Sequence, residues 1–239
     1  PNYKNIWPYV HDKLEELEGV NEYSVPYMWG TTGIAYDENK INALVPDAPT
    51  DSLELMFNPK YAEKLASCGI YMVDSPSETF PIVLRYLGLP PESTDDKDLA
   101  KVEEAFKQIR PYIKKFHSSE YINALANGDA CLALGWSGDI YLAKARAEEF
   151  NPDIKIEYRI PKEGSLLWFD QFAILNDAKN VDEAYAFIDF LLDAKVNARA
   201  ADYVEYSTSV EAAFPFVKPH LYNDPNLYPP EEIRSNLNV

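Results

Sequence analysis

The chain is short of glycine, histidine, cysteine and positive charge, and each shortage argues against a class of function. Nine glycines in 239 residues leave little material for a phosphate-cradling loop, and neither Gly-x-Gly-x-x-Gly nor a P-loop pattern occurs. A nucleotide enzyme is therefore not expected. The three histidines, His11, His117 and His220, stand far apart without metal-ligand spacing, so no His-based metal site is expected, and nothing calls for a cofactor. Gly135-Trp136-Ser137-Gly138 is one residue short of the nucleophile elbow. No stretch approaches the roughly 18 consecutive apolar residues of a spanning helix, so membrane insertion is not expected. Lys and Arg number 22 against 39 Asp and Glu, a formal charge of −17. Such a balance repels phosphate backbones and anionic lipid, which argues against a nucleic-acid partner. It suits cations, although an acidic surface kept for solubility is the plainer account. No basic-then-apolar leader opens the chain at Pro1, so export cannot be read there.

What is present fits a folded protein: 46% apolar and 26% charged residues, with an aromatic surplus that includes 17 Tyr. The pattern alternates helices and strands. Asn58-Pro59 starts a helix to about Ser67, and residues 69–73 read as a buried strand. Ser77 and Thr79 precede an apolar-periodic run that stops at Gly88. A long amphipathic segment spans about 95–115, with Val102, Phe106, Ile109 and Ile113 on one face; Pro111 should kink it or end it early. A serine-capped helix follows His117-Ser118-Ser119, then a strand over 130–136 and a helix over 137–150. Strands are expected at 154–160 and 166–175, and Asn180 with Glu183 resembles a capping box for a helix over 184–192. The end, with Pro225, Pro229 and Pro230, reads as a surface tail. Alternation of this kind predicts an α/β protein with largely parallel sheets. Two cysteines, Cys68 and Cys131, are either buried free thiols or a bridge, and spacing alone does not choose.

The chemistry-bearing residues are aromatics paired with carboxylates near strand ends, where open α/β sheets hold ligands. Trp136 and Asp139 sit at a strand-to-helix turn. Trp168 and Asp170 lie in a later strand, Tyr206 follows a helical region, and Glu78 opens the helix after residues 69–73. Aromatic faces attract ammonium groups by about 0.5–2 kcal/mol, and carboxylates add charge and acceptors. The set suits an organic cation. Each residue also has a plainer role: Asp139 and Glu78 as helix-start acids, and Trp136, Trp168 and Tyr206 as packing residues. Asp170 is the hardest to dismiss, because a charge in an apolar strand needs a partner or a cavity.

These residues sit among longer blocks: Val25-Pro26-Tyr27-Met28-Trp29-Gly30-Thr31-Thr32-Gly33-Ile34, then Phe116-His117-Ser118-Ser119-Glu120-Tyr121-Ile122-Asn123. Gly135-Trp136-Ser137-Gly138-Asp139, Ile160-Pro161-Lys162-Glu163-Gly164 and Asp177-Ala178-Lys179-Asn180 follow. In order and spacing the sequence resembles the periplasmic putrescine- and spermidine-binding proteins of bacterial polyamine ABC transporters, the putrescine branch most closely, over nearly its whole length. The resemblance implies a bilobal periplasmic-binding-protein type II fold, two mixed-sheet lobes joined by a hinge. It implies that residues 1–25 belong to lobe one and the first crossing, 26–162 to lobe two, 163–206 to the return into lobe one, and 207–239 to a segment packing back toward lobe two. It further implies polyamine contacts from Glu78, Trp136, Asp139, Trp168, Asp170 and Tyr206, a disulfide between Cys68 and Cys131, and a periplasmic location. The implied function is non-catalytic capture by lobe closure and delivery to an inner-membrane ABC permease. Family members have roughly a hundred further residues before the position of Pro1, completing lobe one, and continue past that of Val239. Trp168 departs from the smaller phenyl ring common in the putrescine branch, leaving putrescine and spermidine both open. Two alternatives remain beside transport: a polyamine-sensing module that docks to a membrane receptor, and an enzyme acting on small amines.

Overall fold

The computed structural model describes all 239 residues, which gather into two compact units. The first comprises Pro1–Gly30, Leu167–Pro230 and Val239; the second comprises Thr31–Leu166 and Glu231–Asn238. The chain passes from the first to the second inside strand β1 (Val25–Asp37) and returns inside β6 (Ser165–Phe172). Of the segment 207–239, residues 207–230 belong to the first unit and 231–238 to the second.

In the second unit, short β2 (Ile70–Met72) runs parallel to β3 (Ile113–Phe116) on one side and β4 (Leu132–Trp136) on the other. β1 then runs antiparallel to β4, with Thr32 opposite Trp136 and Tyr36 opposite Leu132, and antiparallel to β5 (Ile156–Arg159). The sheet is thus mixed, where helix–strand alternation alone predicts mainly parallel pairing. The cause is β1: its residues 31–37 are all buried, so they show none of the alternation that marks a half-exposed antiparallel strand. Ile34, Phe57, Ile70, Val83, Val102 and Leu132 anchor one apolar core beneath this sheet.

Helix Asp96–Ile109 buries Val102, Ala105 and Ile109. It does not reach 115: a 3-10 turn at Arg110–Tyr112 follows, and Ile113 is the first residue of β3, not a fourth helical contact. Pro111 explains the stop, lacking an N–H and clashing with the preceding turn. Two expected side-chain caps do not form, and one of them is replaced. Neither Ser119 nor Asn180 caps through its side chain; instead His117 Nδ1 accepts from Ser119 N and Glu120 N, both at 3.1 Å. The final stretch is more than a surface tail. Leu221, Leu227 and Leu237 are buried, and β8 (Leu237–Asn238) pairs in parallel with Ser165 and Leu166 of β6.

Cys68 ends a 3-10 turn before β2, and Cys131 directly precedes β4, the neighbouring strand. The two form a disulfide with Cα atoms 5.5 Å apart, across a sequence separation of 63. In the chain-entropy account a loop of that size stabilises by about 4 kcal/mol.

In the first unit, Met28 and Trp29 of β1 pair antiparallel with β7 (Ser207–Thr208). Trp29 is fully buried, and its indole N–H donates to Thr208 O at 2.9 Å. Trp7, Phe214, Tyr222 and Tyr228 extend an aromatic core around it.

Candidate functional site

Three of the six expected ligand residues meet in the second unit. Glu78 lies in the first turn of helix Pro76–Tyr86, just beyond the loop that leaves β2. Trp136 ends β4, and Asp139 lies in the first turn of helix Ser137–Phe150. All three are half-buried. The Trp136 indole N–H donates to both Glu78 oxygens, at 3.0 and 2.8 Å, and the Thr32 hydroxyl donates to Glu78 Oε2. The Tyr121 hydroxyl donates to Asp139 Oδ2 at 2.6 Å while accepting from Trp136 N at 3.3 Å. One tryptophan therefore links two carboxylates, and each carboxylate is oriented by a neutral donor.

Tyr158 underlies this group. Its hydroxyl is buried, lies 2.8 Å from Thr31 Oγ1 and donates to Thr31 O at 3.0 Å. Burial drives its pKa well above the ordinary phenol range, and the charge of Glu78 adds to the rise; the hydrogen bond to Thr31 works in the opposite direction. Close backbone approach holds the frame. A Cβ on Gly33 would come within 2.5 Å of Arg159 O, and one on Gly135 within 2.7 Å of the Tyr121 ring.

The other three expected residues lie in the first unit. Trp168 and Asp170 stand two apart on β6, and hence on one face of it. Trp168 is half-buried and meets the Tyr206 ring edge-on at 5.4 Å; its indole N–H is enclosed without a hydrogen bond. Asp170 is exposed. Tyr27 of β1 packs on Phe172 at 4.8 Å, and its pKa is raised, first by burial and second by the charge of Asp170. Thr32, Tyr121, Tyr158 and Tyr27 are not among the six residues expected at the site. Each contributes by lying beside a strand end in space, and no sequence spacing marks that.

The model of the bacterial extracellular solute-binding proteins matches residues 1–228. The chain belongs to that family. Among its solute-binding relatives, the putrescine-binding periplasmic protein SpuD of Pseudomonas aeruginosa is 45% identical over 99% of this chain and 65% of its own length. The putrescine-binding periplasmic protein PotF of Escherichia coli is 42% identical, again over 99% of this chain and 65% of its own. The solved structure of the spermidine/putrescine ABC transporter substrate-binding protein PotD from Streptococcus pneumoniae superposes with a TM-score of 0.80. It shares 28% identity, covering all of this chain and 68% of the other. The chain therefore spans just under two thirds of the curated relatives it matches. The mixed α/β architecture is that of the type II solute-binding fold.

Proposed function

We propose that this solute-binding protein captures polyamines, putrescine, spermidine or both, in the periplasm and delivers them unchanged to an inner-membrane ABC permease. The observation that carries this reading is Glu78 and Asp139 flanking Trp136, each oriented by a hydrogen bond before any ligand arrives. An alkyl ammonium needs acceptors and charge at its head and a flat apolar surface along its methylenes, and this arrangement offers both. Trp168, Asp170 and Tyr206 repeat the combination on the first unit. Names of relatives at 45% and 42% identity point to the same ligand class. Fixing the donors in advance spares the protein the cost of reorganising them on binding.

Calorimetric titration of the full-length protein with putrescine and with spermidine tests the assignment. Asp139→Asn should weaken both ligands by about 2 kcal/mol or more, the usual loss when one member of a hydrogen-bonded charge pair is removed, and Asp170→Asn, at an exposed position, should weaken both by less. Unchanged affinity in either variant would remove that residue from the site. The hinged closure expected from the resemblance belongs to the same proposal; it predicts a smaller radius of gyration in solution scattering when polyamine is added. Mass spectrometry of incubated ligand should recover it intact, and a converted product would favour an enzyme.

A further inference from the structure

A cavity of about 460 Å³ opens in the second unit between helix Pro76–Tyr86 and helix Asp96–Ile109, and none of Glu78, Trp136 and Asp139 lines it. It sits at the carboxyl ends of two parallel strands: Val73 directly follows β2, and Phe116 ends β3. Open α/β sheets hold ligands in that position, and the volume is that of a small-molecule site. Phe80 and Phe106 join Val73 and Phe116 in the apolar lining; their rings are 5.7 Å apart, and Phe80 remains 40% exposed. Charged side chains share this lining. Lys107 and Glu103 satisfy each other at 2.7 Å. Arg110 and Asp74 have no such match. The Arg110 guanidinium lies over the Phe116 ring at 5.5 Å and makes one hydrogen bond, donating to Ile113 O at 3.5 Å. No carboxylate pairs with it, although Asp and Glu outnumber Lys and Arg by 39 to 22. The Asp74 carboxylate is also unpaired; it is the backbone oxygen of that residue that accepts from the Ser118 hydroxyl, at 3.2 Å. Two opposite charges therefore line one apolar cavity without meeting each other.

We infer that this cavity is a second ligand site, for a small zwitterion with an apolar body, the chemical class of the apolar α-amino acids. Arg110 offers a planar fork of donors to a carboxylate. Asp74 offers acceptors and charge to an ammonium group, and the phenyl rings form a bed for an apolar side chain. A diamine fits poorly, because the unpaired guanidinium of Arg110 repels it; a plain carboxylate fits poorly, because it meets the unpaired Asp74. The inference is independent of the polyamine reading, which uses other residues.

Calorimetry and amide chemical shifts of the full-length protein test this with three probes that share one ring: phenylalanine, phenylpropanoate without the ammonium group, and phenylethylamine without the carboxylate. Phenylalanine should bind saturably, in the millimolar range or tighter and several-fold better than either partial probe. Its shifts should gather over residues 73–80 and 103–116. Arg110→Gln should lower phenylalanine affinity several-fold and leave phenylethylamine unchanged. Asp74→Asn should lower it likewise and leave phenylpropanoate unchanged. Both positions are exposed, so thermal melts of the two variants should coincide with that of the parent. Saturating putrescine should not compete. The inference is overturned if phenylalanine does not saturate, if putrescine displaces it, or if its shifts centre on Trp136 and Asp139. It is equally overturned if a partial probe binds as well as the zwitterion. A protein that binds phenylalanine in this way but no polyamine would support this site while contradicting the functional proposal.

Discussion

Tyr121 and Trp136 decide how Asp139 and Glu78 are presented. A hydroxyl donates to Asp139 and an indole N–H to Glu78, and these bonds orient the two carboxylates. Tyr121→Phe removes the donor to Asp139 and the acceptor for Trp136 N. It should lower folding stability by about 1 kcal/mol, the usual net worth of an intramolecular hydrogen bond, and weaken polyamine binding several-fold; denaturant melts and calorimetry read the two effects separately. Tyr158 supplies a pH signature. Its folded pKa lies above that of the unfolded phenol, about 10, so its contribution to stability is fully present below that pH. It is lost as pH rises beyond it, because the unfolded state releases the proton first. Stability should therefore decline as pH rises past about 10, and Tyr158→Phe should make that decline shallower; an equally steep decline would contradict the assignment. At this scale the sequence was informative only in part. Carboxylates and indoles stand out at strand ends, but their supports, Thr32 and Tyr121, are ordinary residues whose role depends on which strands become neighbours.

The elements that position these side chains were more legible. Pro and Gly punctuation located most helices, since a missing N–H or a positive φ leaves few conformational choices. Pro111 divides an apparently continuous amphipathic run into a helix, a turn and β3, because Ile113 suits either period. The buried half of β1 escaped detection for the opposite reason: surrounded on both faces, it shows no periodicity to read. Capping by His117 also escaped, since serines are the commoner caps; His117→Ala should cost about 1 kcal/mol, the usual worth of a side-chain cap, in a chemical melt. The strand carrying Trp136 admits little at Gly135. Gly135→Ala would press a methyl group into the Tyr121 ring. It should destabilise by about 1–3 kcal/mol, as overpacked cores do, and disturb Asp139 through Tyr121.

For the molecule as a whole, the disulfide and the acidic balance matter most. The bridge ties the start of β2 to the start of β4, the two strands whose ends carry the helices bearing Glu78 and Asp139. Cys68→Ser with Cys131→Ser should lower stability by about 2–4 kcal/mol, read as a shift in urea midpoint with little change in slope; no shift would mean that the loop is already constrained. Fold class was readable from alternation, whereas division into two units was expected from the family resemblance alone, because β1 and β6 each run through both units and show no break at the passage. The central claim is that charge recognised by carboxylates, and not mere fit of an aliphatic chain, selects the ligand. Calorimetric titration with putrescine and with 1,4-butanediol, its uncharged counterpart, tests this most directly. The account predicts saturable binding of the diamine, weakened by salt, and no detectable binding of the diol; equal affinity for both would contradict it.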